Sequence, residues 1–181
     1  GPDGRGLAAH LDGRDNVVTL RTCGKALGCE GALICGPAVV ADFLINRGRG
    51  FIFSTAPSPL MAAVIRASLG LLQNAPELRN SLWRRIRLAE EVFAPLGATV
   101  NGTQILPLVI GDDARTMVLA TNIQKAGFDV RGIRPPTVPA GTSRLRITIT
   151  NNASEEQIIA LADLVAERPD DYIAIAVKLA A

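Results

Sequence analysis

The sequence predicts an α/β chain in two portions. Residues 1–78 read as the C-terminal portion of a mostly parallel-sheet domain, and residues 79–181 as a small α+β domain. Three observations carry this. Short apolar runs near the N-terminus, separated by glycine-rich loops, have the texture of strands buried on both faces of a parallel sheet. A long amphipathic pattern over residues 78–96 closes on Gly97, a good helix stop. Beyond it come strand and helix signals in short units, the pattern of one helical layer covering a small sheet.

The elements follow in order. Residues 16–20, N-V-V-T-L, form a β-branched run after a polar turn and read as a buried strand. The glycine-rich stretch T-C-G-K-A-L-G-C-E-G-A comes directly after it. Residues 32–35 are a second apolar run, closed by Gly36. Pro37 suits the first turn of a helix that places Val39, Val40, Phe43 and Leu44 at helical spacing. Gly48 and Gly50 break that helix, and residues 51–53, F-I-F, read as a third strand ending in Ser54 and Thr55. Residues 59–72 are helical. Three strands are few against the usual five or six, so earlier strands are expected to precede this chain.

In the second portion, residues 105–110 read as a strand, 112–126 as a helix, 128–133 as a strand and 144–150 as an alternating strand. Ser154-Glu-Glu-Gln has the form of a capping box, opening a helix to about Glu167. Residues 169–181 are weakly helical at best.

Composition bounds the function. The chain has 181 residues, 48% hydrophobic, with mean hydropathy +0.26, enough for a buried core and too apolar for a disordered chain. A net charge of +2 and 4% aromatic residues give little support to nucleic-acid binding. Cys23, Cys29 and Cys35 do not have zinc-ligand spacing, and a single histidine, His10, cannot complete a metal set. Their apolar neighbours predict reduced, mostly buried thiols and a cytoplasmic protein. No apolar run approaches a membrane span.

Two constellations carry chemistry. Lys25 lies between Gly24 and Gly28 with few anionic neighbours. A loop lysine is ordinarily just solvated. A phosphate-binding loop fails, because Thr19 stands at the first glycine of G-x-x-x-x-G-K-[ST] and Ala26 at its hydroxyl position. A lysine near the end of a buried strand loses its proton more readily, and the neutral amine condenses with an aldehyde. The flanking glycines leave room for a flat cofactor, and Thr22 offers a hydroxyl to a phosphate. The second constellation is R-P-P-T-V-P-A-G-T-S-R-L-R, residues 134–146. Its prolines pin an extended loop before a strand in which Arg144 and Arg146 share one face. The exposed face of an edge strand is one reading. For Arg146 the sharper one is a guanidinium fork aimed at a carboxylate.

Together T-C-G-K-A-L-G-C-E-G-A, F-I-F-S-T and I-R-P-P-T-V-P-A-G-T-S-R-L-R-I-T resemble the α-oxoamine synthases, pyridoxal-phosphate enzymes of fold type I. The resemblance runs from Gly1 to about Glu167, and the I-R-P-P-T-V-P form is closest to the biotin-pathway branch. It implies the C-terminal half of a fold type I transferase, with G-P-D-G-R-G following the family's ring-binding aspartate and histidine. It further implies Lys25 as the Schiff-base lysine and proton-moving base, and Thr22 as a ligand of the cofactor phosphate. Ser54 and Thr55 would reach a phosphate across a homodimer interface. Arg146 would hold the amino-acid carboxylate, and Thr137 would line the acyl pocket. The implied reaction joins L-alanine to a pimeloyl thioester of coenzyme A or acyl carrier protein, with neither nucleic acid nor membrane as a partner. Other family members accept glycine or serine, and a non-catalytic folded fragment is the competing class. The family's histidine after the R-L-R strand has no counterpart in T-N-N-A-S, residues 150–154. With the ring-binding half absent, the 181-residue polypeptide alone is expected to bind cofactor weakly and to lack appreciable activity.

Overall fold

A computed structural model describes residues 2–167. The expected tail, residues 169–181, lies outside the described residues. The chain divides into two compact units, Gly1–Pro76 and Glu77–Ala181.

In the first unit, β1 (Thr19–Thr22) and β2 (Ala32–Cys35) form a two-stranded sheet. The mixed α/β class holds, but this pairing is antiparallel, with Thr19 opposite Cys35 and Thr22 opposite Ala32. The expected parallel arrangement does not occur among the described residues. The first strand also starts later than residue 16 and is not buried, since Leu20 is 72% exposed. The glycine-rich stretch is what joins the two strands. A hairpin returns the chain antiparallel, whereas a parallel return needs a crossover of a dozen residues or more.

Helix α1 (Ala38–Arg47) begins after Pro37, and α3 (Pro59–Asn74) begins after Ser58, whose hydroxyl accepts the Leu60 N–H. Between them the expected F-I-F strand is instead a short helix, α2 (Arg49–Ile52). No neighbouring strand pairs with this run among the described residues. A helical turn satisfies its backbone locally, with Ile52 N–H bonding Gly48 O and Phe53 N–H bonding Arg49 O. Of the three free cysteines only Cys23 is buried, with Cys29 half-buried and Cys35 exposed, so the expectation of mostly buried thiols does not hold.

The second unit follows the predicted order closely. Its elements are α4 (Pro76–Phe93), β3 (Ile105–Gly111), α5 (Asp113–Lys125), β4 (Arg131–Ile133), β5 (Ser143–Thr148) and α6 (Glu155–Ala166). The three strands run in the order β3-β5-β4, all antiparallel. Arg144 and Arg146 therefore lie on the central strand, so the edge-strand reading does not hold. Leu106, Leu108, Ile110, Leu145 and Ile147 alternate onto one sheet face and join Phe93, Ile123 and Val165 of the helices in one core. On α5, Asp112 caps the N-terminus through the Arg115 N–H, and Ser143 donates to Asp113 at 2.5 Å. Gly132 of β4 faces this helix. A Cβ there would meet Met117 Sδ at 2.9 Å, so glycine is what permits the close approach.

Candidate functional site

The Lys25 loop, residues 23–31, is a closed hairpin connection. Its base is shut by Cys23 N–H to Gly31 O and Cys29 N–H to Cys23 O, both 2.9 Å. Within it Gly28 N–H returns to Lys25 O at 3.0 Å, a tight turn that Gly28 completes at φ +62°, where a side chain would be strained. Two contacts tie the loop to α3. Ser68 donates to Leu27 O at 2.9 Å, and the Cys29 thiol lies 3.6 Å from Met61 Sδ. The Cys23 side chain at the base of the loop is buried.

This framework presents Lys25 outward. The side chain is exposed and makes no hydrogen bond or ion pair among the described residues. The burial from which sequence reasoning derived an easily deprotonated amine is thus not supplied by these residues. Thr22 is exposed beside it, its Oγ1 accepting the Gly24 N–H at 3.4 Å, which leaves the hydroxyl proton to donate elsewhere. Lys25 and Thr22 thus lie three residues apart at one end of the hairpin. Ser54 and Thr55 lie on the exposed coil between α2 and α3. Among the described residues no hydrogen bond fixes either hydroxyl.

A network that sequence reading did not find braces the other side of β1. Asp12 receives Arg21 at 2.6 Å and Arg5 at 3.1 Å, and Arg21 also donates to Arg5 O at 2.8 Å. These groups line a cavity of about 580 Å³ together with Ala26 and Leu27, whereas Lys25 does not line it. Their separation in sequence left no local spacing that could reveal the network.

In the second unit, Arg146 stands on the sheet face opposite the helices, exposed and with no partner among the described residues. Arg144 is half-buried and is held by its own chain, Nε to Thr142 O at 2.9 Å. Directly opposite Arg146 on β4 is Arg131, whose Nε bonds Asp129 at 2.8 Å. Arg131 was not foreseen, because only the pairing register brings it to Arg146. Strand β4 runs into the proline loop, where Pro135–Pro136 is cis and Thr137 N–H bonds Arg134 O at 3.1 Å. Thr137 is exposed. No cluster of potential metal ligands occurs among the described residues.

Against known proteins, residues 2–165 match the family Aminotransferase class I and II. The chain is 38% identical over 152 residues to a putative 8-amino-7-oxononanoate synthase of Desulforudis audaxviator, covering 83% of this chain and 40% of that protein. It is 38% identical over 169 residues to the 8-amino-7-oxononanoate synthase of Sodalis glossinidius, covering 92% and 43% respectively. The chain therefore spans less than half the length of these relatives. Among solved structures, the Francisella tularensis 8-amino-7-oxononanoate synthase aligns with TM-score 0.75 and 21% identity over 85% of this chain and 46% of that one. Sphingomonas wittichii serine palmitoyltransferase aligns with TM-score 0.82 and 24% identity over 97% and 45%. These structural likenesses establish a shared α/β fold.

Proposed function

Since the chain belongs to the aminotransferase class I and II family, we propose that it is the lysine-bearing part of a pyridoxal-phosphate-dependent 8-amino-7-oxononanoate synthase of the cytoplasm. In a polypeptide of its relatives' length, acting as a homodimer, it would join L-alanine to a pimeloyl thioester of coenzyme A or acyl carrier protein. Carbon dioxide and the free thiol leave as the new carbon–carbon bond forms. The observation that carries the reading is the braced hairpin loop, which holds an unpartnered Lys25 amine outward beside the Thr22 hydroxyl.

The residues present fit such a cofactor in part. Lys25 supplies an amine able to hold an aldehyde carbon, and Thr22 a hydroxyl able to donate to a phosphate oxygen. Cβ atoms built at Gly28 and Gly31 would meet nothing within 4 Å, so the loop leaves space around the amine. When bound, pyridoxal phosphate acts as the electron sink for negative charge at the substrate α-carbon. Lys25 would hold the cofactor and carry the substrate α-proton, and Ser54 and Thr55 would donate to the phosphate bound by a second copy. Arg146 holds the substrate carboxylate with two parallel N–H bonds and so orients the bond that breaks. Thr137 lines the acyl pocket.

Borohydride reduction followed by peptide mass spectrometry tests the central assignment. Pyridoxyl label on Lys25 is expected and label elsewhere would sink it. Spectral titration of the full-length protein with L-alanine, glycine and L-serine, then with acyl thioester, tests the amino-acid choice. L-alanine is expected to give the thioester-dependent absorbance change. Robust turnover by the 181-residue polypeptide alone, shown intact by mass, would refute its dependence on the rest of the enzyme.

A further inference from the structure

Two guanidinium groups face one another across β4 and β5. Arg131 and Arg146 are register partners, and both lie on the sheet face away from the helices. Gly132, the next residue on β4, points the other way, into α5, so the face of Arg131 is set by packing. Directly opposed like charges destabilise a sheet. Here one carboxylate offsets two cations, since Asp129 binds Arg131 through Nε and nothing among the described residues binds Arg146. Residues whose Cβ atoms stand about 5 Å apart can direct their forks at neighbouring anions. Because Asp129 occupies Nε, the terminal nitrogens of Arg131 remain available. Strand β4 also leads directly into the loop that carries Thr137.

We infer that Arg131 is an anion-binding residue for the acyl donor, standing beside the carboxylate-holding Arg146 on the strand that leads into the Thr137 loop. Asp129 fixes the direction of its fork. The inference rests on the synthase reading above. The anion is either a terminal carboxylate of the acyl chain or a phosphate of the acyl carrier, and both present planar or tripodal oxygens to which a guanidinium fork donates. Arg131 determines specificity for the donor and takes no part in bond making.

The test uses Arg131→Gln in the full-length enzyme with four donors: pimeloyl and ω-methyl pimeloyl groups, each on coenzyme A and on N-acetylcysteamine. The KM for the anionic donor is expected to rise about tenfold, the loss of one exposed charge-assisted bond. The KM for L-alanine and kcat should stay within about twofold, and Arg131→Lys should recover part of the loss. A penalty that disappears with the methyl ester assigns the carboxylate, and one that disappears with N-acetylcysteamine assigns the phosphate. An unchanged donor KM, or an equal rise in the L-alanine KM, overturns the inference. If wild-type enzyme shows no synthase activity, the functional reading has failed, and arginine side-chain NMR of the 181-residue chain decides the residual point. Titration with pimelate should then shift the Arg131 Nε signal more than titration with acetate, and equal shifts overturn the site.

Discussion

The two units of this chain bury their apolar side chains to opposite degrees. In the second, Phe93, Leu106, Leu108 and Leu145 are fully buried in one continuous core. In the first, the only buried apolar side chains among the described residues are Ala9 and Cys23, while Leu20, Phe43, Phe51 and Phe53 are all more than half exposed. The amphipathic logic is similar in both, since α1 and α3 carry apolar residues at helical spacing as α4 does. What differs is whether anything covers them. Individual exposed apolar side chains are ordinary, but a unit that exposes this many has not removed its apolar surface from water. The second unit is thus stabilised by its own packing. In the first, the described contacts are hydrogen bonds, the partly exposed Asp12 ion pairs and the Cys29–Met61 contact, with little apolar burial.

The largest expected effect exploits this contrast directly. Phe93→Ala should destabilise the second unit by about 3–5 kcal/mol through lost burial and a residual cavity. Phe43→Ala, which removes a ring already 63% exposed, should change stability by less than about 0.5 kcal/mol. Urea unfolding followed by the fluorescence of Trp83, the single tryptophan and a residue of α4, reads the first variant. Hydrogen exchange in α1 reads the second. A loss above about 2 kcal/mol for Phe43→Ala would mean that its ring is covered in solution, and the contrast would fall.

A middle-sized effect compares two glycines with left-handed backbone. Gly97, at φ +84°, ends the short turn after α4, and Gly28, at φ +62°, closes the Lys25 turn. A Cβ would meet nothing at either position, so alanine costs only the backbone strain, about 1–2 kcal/mol. At Gly97 that cost should appear in global urea unfolding, because the turn joins α4 to the core strand β3. At Gly28 it should appear as faster exchange of the Cys29 amide, with little change in the global midpoint. A full global loss from Gly28→Ala would show that the loop opens only with the whole unit.

How much was legible in the sequence differs between the units for the same reason. The Ser154 capping box, the 112–126 helix, the 105–110 strand and the 144–150 alternation are local signals whose partners lie within a few residues or on the same core. They survive into the structure with boundaries shifted by one or two positions. The F-I-F run failed because strand character depends on a neighbour to pair with, and none of the described residues provides one. Burial of Lys25 failed similarly, since a β-branched run predicts a strand but not what covers it. Local residue chemistry singled out Lys25, Thr22 and Arg146, and motif resemblance gave them roles, without any geometry. Arg131 stayed invisible because its relation to Arg146 exists only in the register of two strands that a proline loop separates.

The smallest effect tests a local device in the well-packed unit. Ser154 accepts the Gln157 N–H at 3.2 Å, and the Gln157 side chain accepts the Ser154 N–H at 2.9 Å. The Ser154 side chain also holds the Glu156 carboxyl below its usual pKa of 4.5, followed by the Glu156 backbone N–H; burial opposes them, and Arg85 adds the smallest lowering effect. A depressed folded pKa stabilises the fold above pH 4.5, and that contribution is lost as pH falls through the lower folded value. Ser154→Ala should cost about 1 kcal/mol near neutral pH from the missing cap. The gap between wild type and variant in urea midpoint should narrow on acidification, because wild type then loses the Glu156 bond that the variant already lacks. A residual gap should persist in acid, since the Gln157 N–H bond involves no ionised group. A gap that stays constant from pH 7 to about pH 3 would show that Glu156 contributes nothing through Ser154.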